Sequence, residues 1–143
     1  MVIQYVLDTD HATLFQRSHL AILQKVNAVG QDSIGFTIIT VEEQVRGWLN
    51  ETRKASQASQ VERLCQAYKR FRYSVEFFNQ YQILDLTEDT FYRFIDLRRQ
   101  GIRIGTQDLR IAAICLVNQL TLVTRNRQDF TQVPGLVLQD WTQ

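Results

Sequence analysis

Apolar positions in this chain alternate between two spacings. Short unbroken runs of apolar and β-branched residues recur at 2–7, 33–39, 81–86 and 120–124. A weaker run at 136–138 follows the turn at Pro134 and Gly135. Runs of this length bounded by polar turn residues predict buried strands. Between them apolar residues return every three or four positions, which predicts helices. The first two helices fall at 12–16 and 20–29, the second stopped by Gly30. Thr40-Val41-Glu42-Glu43 and Ser59-Gln60-Val61-Glu62 have the form of capping boxes. They predict an antiparallel helical pair over about residues 41–79, joined near Ser56. Val41, Val45, Trp48 and Leu49 mark the inward stripe of its first helix. Val61, Leu64, Cys65, Tyr68, Val75 and Phe78 mark that of its second. Thr87 opens a helix with Phe91, Phe94, Ile95 and Leu97 inward and Gly101 at its end. Thr106 caps a last long helix carrying Ile111, Ala112, Ile114 and Cys115. Strands alternating with helices predict an α/β domain around a parallel sheet. No repeat, low-complexity tract or linker divides residues 1–143, so one domain is expected.

Composition narrows the classes. A hydrophobic share of 45% fits a folded globular chain rather than a disordered one. No apolar run approaches the roughly 20 residues that span a bilayer. The N-terminus lacks the basic stretch and apolar core of a secretory signal. The expectation is a cytoplasmic protein with no membrane attachment. Cys65 and Cys115 form no C-x-x-C pair and are expected to be two buried thiols in a reducing compartment. His11 and His19 are the only histidines, too few to build a zinc site of the usual kinds. The formal net charge of +1 is uninformative, but its distribution is not. Arg98, Arg99, Arg103, Arg110, Arg125 and Arg127 cluster late in the chain, and Lys69, Arg70 and Arg72 form a second group. Cations near an acidic pocket suit a polyanion such as nucleic acid. For the second group a solvated helix face is at least as good a reading.

The candidate chemistry lies in four places that share one pattern. Asp8 ends the first strand. Glu43 lies in the first turn of the helix after the second strand. Asp108 opens the helix that begins near Thr106. Asn126, with Asp129 close behind, follows the fourth strand. If the strands are parallel, these groups meet at one carboxyl edge, where open α/β folds place their sites. Several carboxylates together repel one another unless a cation joins them. An all-oxygen set suits Mg²⁺ or Mn²⁺. Such an ion eases deprotonation of water and steadies charge on a phosphate under in-line attack. Each acid also has a plainer explanation. Glu43 completes the capping box of Thr40, Asp108 complements a helix dipole, and Asp129 caps a turn. Asp8, at the end of an apolar strand, has the least convincing one.

These residues resemble a PIN-domain ribonuclease, specifically a VapC-type toxin, over nearly the whole chain. "YVLDTDHATL" resembles the family's opening hhLDTn segment and places its first acid at Asp8. "TVEEQVRG" resembles T-x-x-E-L-x-x-G, matching Glu43 and Gly47. "GTQDLRIAAICL" resembles D-x-x-I-A-A-x-A, matching Asp108. "LTLVTRNRQDFTQVPGLVLQDW" resembles hhTxN-x-x-x-F-x-x-h-x-G-h, matching Thr124, Asn126 and Phe130. The resemblance implies a three-layer α/β/α fold with parallel strand order 3-2-1-4-5. It implies Mg²⁺- or Mn²⁺-dependent cleavage of RNA, a VapB-like antitoxin, and a homodimer gripped through the helical pair. On this reading Asp8, Asp108 and Glu43 bind metal and Asn126 orients a water. Thr9, Thr124, Asp10 and Asp129 support them, and Arg125 and Arg127 contact phosphate. The chain departs from the pattern at Gln44, where an apolar residue is usual, and at Asp10, where asparagine is common. Asn126 stands where many PIN nucleases carry aspartate, although asparagine is frequent in the VapC branch. Asn126 thus leaves open a degenerate domain that binds RNA or a protein without cutting. Asp8-Thr9-Asp10 also resembles the D-x-D of haloacid-dehalogenase-type phosphatases. That motif wants Thr or Val in place of Ala12 and a downstream lysine, yet Lys69 is the last lysine in the chain.

Overall fold

The computed structural model describes residues 2–143. Five short strands form one sheet: β1 (Tyr5–Leu7), β2 (Ile34–Thr37), β3 (Gln82–Leu84), β4 (Thr121–Val123) and β5 (Leu138–Gln139). All pairings are parallel, and the order is β3-β2-β1-β4-β5. Seven helices connect and cover them: α1 (Thr9–Gln16), α2 (Leu20–Val29), α3 (Ile38–Gln57), α4 (Val61–Phe78), α5 (Glu88–Arg99), α6 (Thr106–Asn118) and α7 (Arg127–Phe130). Neighbouring residues of the central strands enter opposite cores. Val6 and Leu122 pack with Leu97, Leu109, Ile111 and Phe130 on one side. Leu7, Phe36 and Val123 pack with Ile22, Phe77 and Trp141 on the other. A sheet buried on both faces needs apolar residues at every central position, which is why β1, β2 and β4 read as continuous runs. The three-layer architecture and strand order implied by the resemblance are those of the structure.

The chain leaves β1 to one side through β2 and crosses to the other side through β4. The switch point therefore lies beyond the carboxyl ends of β1 and β4, where such sheets hold their ligands. Gly35 allows β2 to seat between its neighbours. A Cβ there would lie 2.7 Å from Ile3 Cδ1 and 3.1 Å from the Gln82 carbonyl oxygen.

Several local expectations change. α3 begins at Ile38, with Thr37 as its cap: Thr37 Oγ1 accepts the Thr40 N–H at 3.2 Å. Strand β2 passes straight into this helix, so the β-branched pair Ile38 and Ile39 is helical rather than extended. Thr40 lies inside the helix and caps nothing. α4 likewise starts without the Ser59 box. Ser59 adopts a left-handed turn conformation (φ 53°), and Gln60 caps through its backbone only. Gly105, not Thr106, precedes α6. Thr87 does cap α5.

The inward face of α4 is also rotated from the expected stripe. Ala67, Ser74, Phe77 and Phe78 are buried, whereas Val61, Cys65, Tyr68 and Val75 are exposed. Small residues, Thr52 and Ala55 on α3 and Ala67 and Ser74 on α4, occupy the inward positions of this helix pair. Side-chain size at the contact sets how closely helices pack, so the larger apolar residues are turned outward. Cys65 is thus not a buried thiol. Cys115 is, and burial pushes its thiol well up. Phe91 is exposed too, stacked on Phe94 at 5.7 Å between ring centres.

Phe36 is fully buried among Phe77, Phe78 and Tyr81, with ring centres 5.3–5.6 Å away. Phe36→Ala opens a cavity at the junction of sheet and helical pair. The expected loss is about 3–5 kcal/mol by chemical denaturation. A loss below about 1 kcal/mol would mean that this cluster does not anchor the pair to the sheet.

Candidate active site

The switch point gathers acids from four elements. Asp8 ends β1 and caps α1, its Oδ1 accepting the His11 N–H at 2.9 Å. Its other oxygen accepts the Thr124 hydroxyl at 2.6 Å. Thr124 is fully buried, and its Oγ1 in turn accepts the Asn126 N–H at 2.9 Å. This short chain of bonds ties the ends of β1 and β4 together. Buried carboxylates need such partners.

Glu43 is half-buried on α3, and its Oε1 accepts the Thr9 hydroxyl at 2.8 Å. Thr9 also lies 3.2 Å from the Thr40 hydroxyl. Because Thr37 caps the helix, the capping-box explanation for Glu43 is removed. Its negative charge reaches Asp108 instead. The Asp108 carboxyl is pushed up to about 6 by burial and by the negative charges of Glu43, Asp8 and Asp129. A charge is felt this way only at close range, so the four carboxylates share one basin.

The fourth position resolves into two residues with different roles. Asn126 caps α7, and its Nδ2 donates to Asp129 Oδ2 at 2.9 Å. One N–H of its amide thus holds Asp129, and Asp129 is the group whose charge reaches Asp108. Among the described residues, no three His, Cys, Asp or Glu side chains stand close enough to chelate an ion as they lie. The donors are all oxygen and mutually repelling, the set that a hard divalent cation fits.

Asp10 belongs elsewhere. It is exposed and takes the Arg125 guanidinium on both oxygens, at 2.6 and 2.9 Å. This pairing removes the D-x-D reading, because Asp10 points to Arg125 and not toward a substrate beside Asp8. Both partners are about half exposed, so Arg125 can still exchange to another anion. Arg127 is exposed, and its charge reaches Asp140. Of the other late arginines, Arg98 and Arg110 both lie over the Phe94 ring.

Sequence reasoning missed three features. His11 is fully buried beside Asp8, with Nδ1 at 3.5 Å from Oδ1, and its Nε2 accepts the Trp141 N–H at 3.2 Å. The end of the chain is thereby fastened beneath the site. Gln44 is the second. It joins α1, α3 and α4 by accepting from Gln16 and Ser74, both at 2.9 Å, and donating to Thr13 at 3.3 Å. Its amide replaces an apolar contact with a polar bridge, for which a single glutamine in a motif gives little warning.

The third is a cleft of about 1100 Å³ that starts at Thr9 and Glu43 and runs away between α1, α3 and α4. Its α3 wall repeats at helical spacing (Glu43, Gly47 and Glu51, with Gln44 and Trp48), and its α4 wall carries Arg63, Arg70 and Tyr73. At the far end Glu51 is held below the usual carboxylate range by the hydrogen bond from Arg63, with the charges of Lys54 and Arg70 adding to it. Gly47 lies on this wall with nothing within 4 Å of a Cβ built on it. A helix-interior glycine costs roughly 1 kcal/mol relative to alanine, yet neither backbone geometry nor internal packing requires this one.

The shared basin has a pH signature. Asp108 is raised from 3.8 to about 6, so between those values the folded chain holds a proton that the unfolded chain has lost. Stability therefore falls as pH rises through that window. Asp108→Asn removes the effect. In chelator at pH 7 the variant is expected to be more stable by about 1–2 kcal/mol, discounted for the group's partial exposure. The difference should vanish below about pH 4. Equal stability of the two proteins at pH 7 would break the carboxylate grouping.

Comparison with known proteins bears on the fold. No family model matches the chain. Over 69 residues the chain is 32% identical to Ribonuclease VapC2 of Rickettsia felis, an alignment covering 46% of this chain and 52% of that protein. The chain thus spans about half the length of the curated relative it matches. Among solved structures it resembles a chain of DNA-bound VapBC from Salmonella typhimurium (TM-score 0.78, 22% identity, 97% of this chain and 98% of that one). It also resembles a chain of VapBC-1 from nontypeable Haemophilus influenzae (0.74, 23%, 100% of each). A third is a chain of VapBC2 from Rickettsia felis bound to a promoter DNA fragment (0.69, 22%, 99% of each). At these identities the structures show a shared fold: the PIN-like sheet with order 3-2-1-4-5 that the sequence motifs imply.

Proposed function

We propose that the chain is a metal-dependent endoribonuclease, the toxin of a VapBC-type pair, using Mg²⁺ or Mn²⁺. The observation that carries this reading is the basin itself: Asp8, Glu43 and Asp129 come from separate elements at the switch point, and their negative charges all reach Asp108. Asp8 and Asp108 would hold the ion most directly, with Glu43 and Asp129 completing the oxygen set. When bound, the ion supplies positive charge to the phosphate and eases deprotonation of water.

The chain's own residues do the rest. Thr124 and the His11 N–H fix both oxygens of Asp8, so that one group is oriented before substrate arrives. Thr9 holds Glu43 by one oxygen, leaving the other to accept a proton from the attacking water. On this reading Asn126 holds Asp129 at the rim, and its second amide N–H is left to orient a water. Water attacks phosphorus, the bond to the leaving ribose oxygen breaks, and no histidine or serine nucleophile is needed. Relatives in VapBC complexes support a VapB-like antitoxin as partner, and a second copy of this chain is a further proposed partner. No described helix is long and apolar enough to cross a membrane, which fits a cytoplasmic site of action.

The test is incubation of a folded RNA pool with purified protein and Mn²⁺ or Mg²⁺. Cleavage is expected with metal and not with chelator. Asp8→Asn keeps one acceptor, for the His11 N–H, and turns an amide donor to the Thr124 hydroxyl, which can rotate to accept it; the folded variant should lose on the order of 100-fold or more in rate, as when one group that stabilises transition-state charge is removed. Full cleavage by a folded Asp8→Asn protein would refute the assignment. Expression of the chain alone should arrest growth, and Asp8→Asn should not.

A further inference from the structure

His11 is fully buried in the first turn of α1, three residues after Asp8. Packing alone would fill this position with an apolar side chain, because each polar atom taken out of water needs a partner. The imidazole meets that need on one side only. Its Nε2 accepts the Trp141 N–H at 3.2 Å. An accepting nitrogen carries no proton, so the ring proton sits on Nδ1. Nδ1 has no hydrogen-bond partner among the described residues. It lies 3.5 Å from Asp8 Oδ1, the oxygen that already takes the His11 backbone N–H at 2.9 Å. One residue thus places two donors beside one oxygen of the same carboxylate.

The end of the chain is the independent observation, because it backs both partners of Asp8. Behind Thr124, the Gln139 carbonyl takes the Thr124 N–H at 2.8 Å. Behind His11 stands Trp141, 1% exposed, with its indole N–H on Gln139 Oε1 at 2.8 Å. Asp140 could compete for the imidazole, but its Oδ1 is 3.6 Å from Nε2, beyond hydrogen-bond range. That oxygen is taken by the Thr142 N–H and hydroxyl, at 2.8 and 2.6 Å. Nε2 is therefore left to the Trp141 N–H, and Nδ1 keeps the proton.

We propose that His11 is a positioning residue for Asp8, and that the tail from Gln139 to Thr142 fixes the tautomer in which it acts. The proposal rests on the reading of Asp8 as a ligand of a divalent ion. It adds that a histidine and a tail outside the acidic set govern how tightly that ion is held. An uncharged donor behind a carboxylate orients it without cancelling its charge, and loss of such an outer partner typically weakens metal binding about 10- to 100-fold.

Two substitutions divide the ring. Glutamine reaches the place of Nε2 and can accept the Trp141 N–H, but leaves no donor at the place of Nδ1. Asparagine does the reverse. Affinity for Mn²⁺ is measured without RNA, from the electron paramagnetic resonance of the free ion, and melting is followed in chelator. His11→Gln should melt close to the wild type yet bind Mn²⁺ roughly tenfold more weakly. His11→Asn should melt lower, having lost the tail contact, yet bind Mn²⁺ more tightly than His11→Gln. A histidine that served packing alone would rank the two variants the same way in both measurements, and that result would overturn the proposal. A second measurement needs no variant to keep its fold beyond His11→Gln. Two-bond ¹H–¹⁵N correlations of the wild type at about pH 8, above the usual histidine range, should show Nδ1 protonated and Nε2 bare, with His11 told from His19 by its absence in His11→Gln. A proton on Nε2 would overturn the proposal whatever the affinities. A wild-type protein that binds no Mn²⁺ would remove the metal reading and this proposal together. The expected affinities without RNA cleavage would leave the role of His11 standing and remove the nuclease reading. Metal-dependent cleavage with the two variants equal in affinity would do the opposite.

Discussion

The rest of the structure depends on one carboxylate being buried at the end of the central strand. Asp8 is only 7% exposed, at a point where two apolar cores meet. An ionised group there is costly unless its oxygens are hydrogen-bonded. Thr124 and the His11 N–H meet that requirement, and they do so from β4 and from the first turn of α1. β1 and β4 lie in register as neighbours, with the Asp8 N–H bonded to the Val123 carbonyl at 3.0 Å. The same interactions that make Asp8 tolerable therefore fix the switch point. His11 extends the tie to the end of the chain through Trp141, itself buried in the second core and tilted against Tyr5 at 5.1 Å.

The remaining acids are governed by repulsion as well as burial. Each is restrained by a neutral partner: Thr9 on Glu43, Asn126 on Asp129. Hydroxyl and amide donors orient a carboxylate without cancelling its charge. An arginine in the same place would form an ion pair and consume the site. The contrast stands a few residues away, where Asp10 is fully engaged by Arg125. Neutral donors around one set of acids and an arginine on the other distinguish carboxylates held ready for a cation from one that has already found its own. Asp108 has no side-chain hydrogen-bond partner among the described residues, and burial together with the neighbouring negative charges keeps its proton on to a higher pH.

How much of this was legible in sequence follows from which forces leave a linear trace. Burial on both faces of a parallel sheet writes continuous apolar runs, so the strands and the places of Asp8, Glu43 and Asp108 at their ends were readable, while the strand order came from the motifs' resemblance to a known family. Helix α2 was read to the residue because Gly30 marks its end. Cap identity was not readable, because Thr37 and Thr40 are equivalent candidates until the strand is known to run directly into the helix. The inward face of α4 was misread because close helix packing selects small residues such as Ala67 and Ser74, which carry little hydrophobic signal. Asn126 matched the motif, but only geometry shows that it serves Asp129. The cleft was invisible for a further reason: its lining comes from three helices, and Gly47 is unusual only for what fails to touch it.

These features combine along α3. Its inward face carries Thr40, Thr52 and Ala55 against the fold, while the adjoining face presents Glu43, Gly47, Trp48 and Glu51 to the cleft. A helix advances about 1.5 Å per residue, so the eight residues from Glu43 to Glu51 span roughly 12 Å. Over that distance the surroundings change from uncompensated carboxylates to a single acid among cations. One rigid element therefore presents two ends of opposite charge preference, favouring a cation beside the acids and an anion beside the arginines.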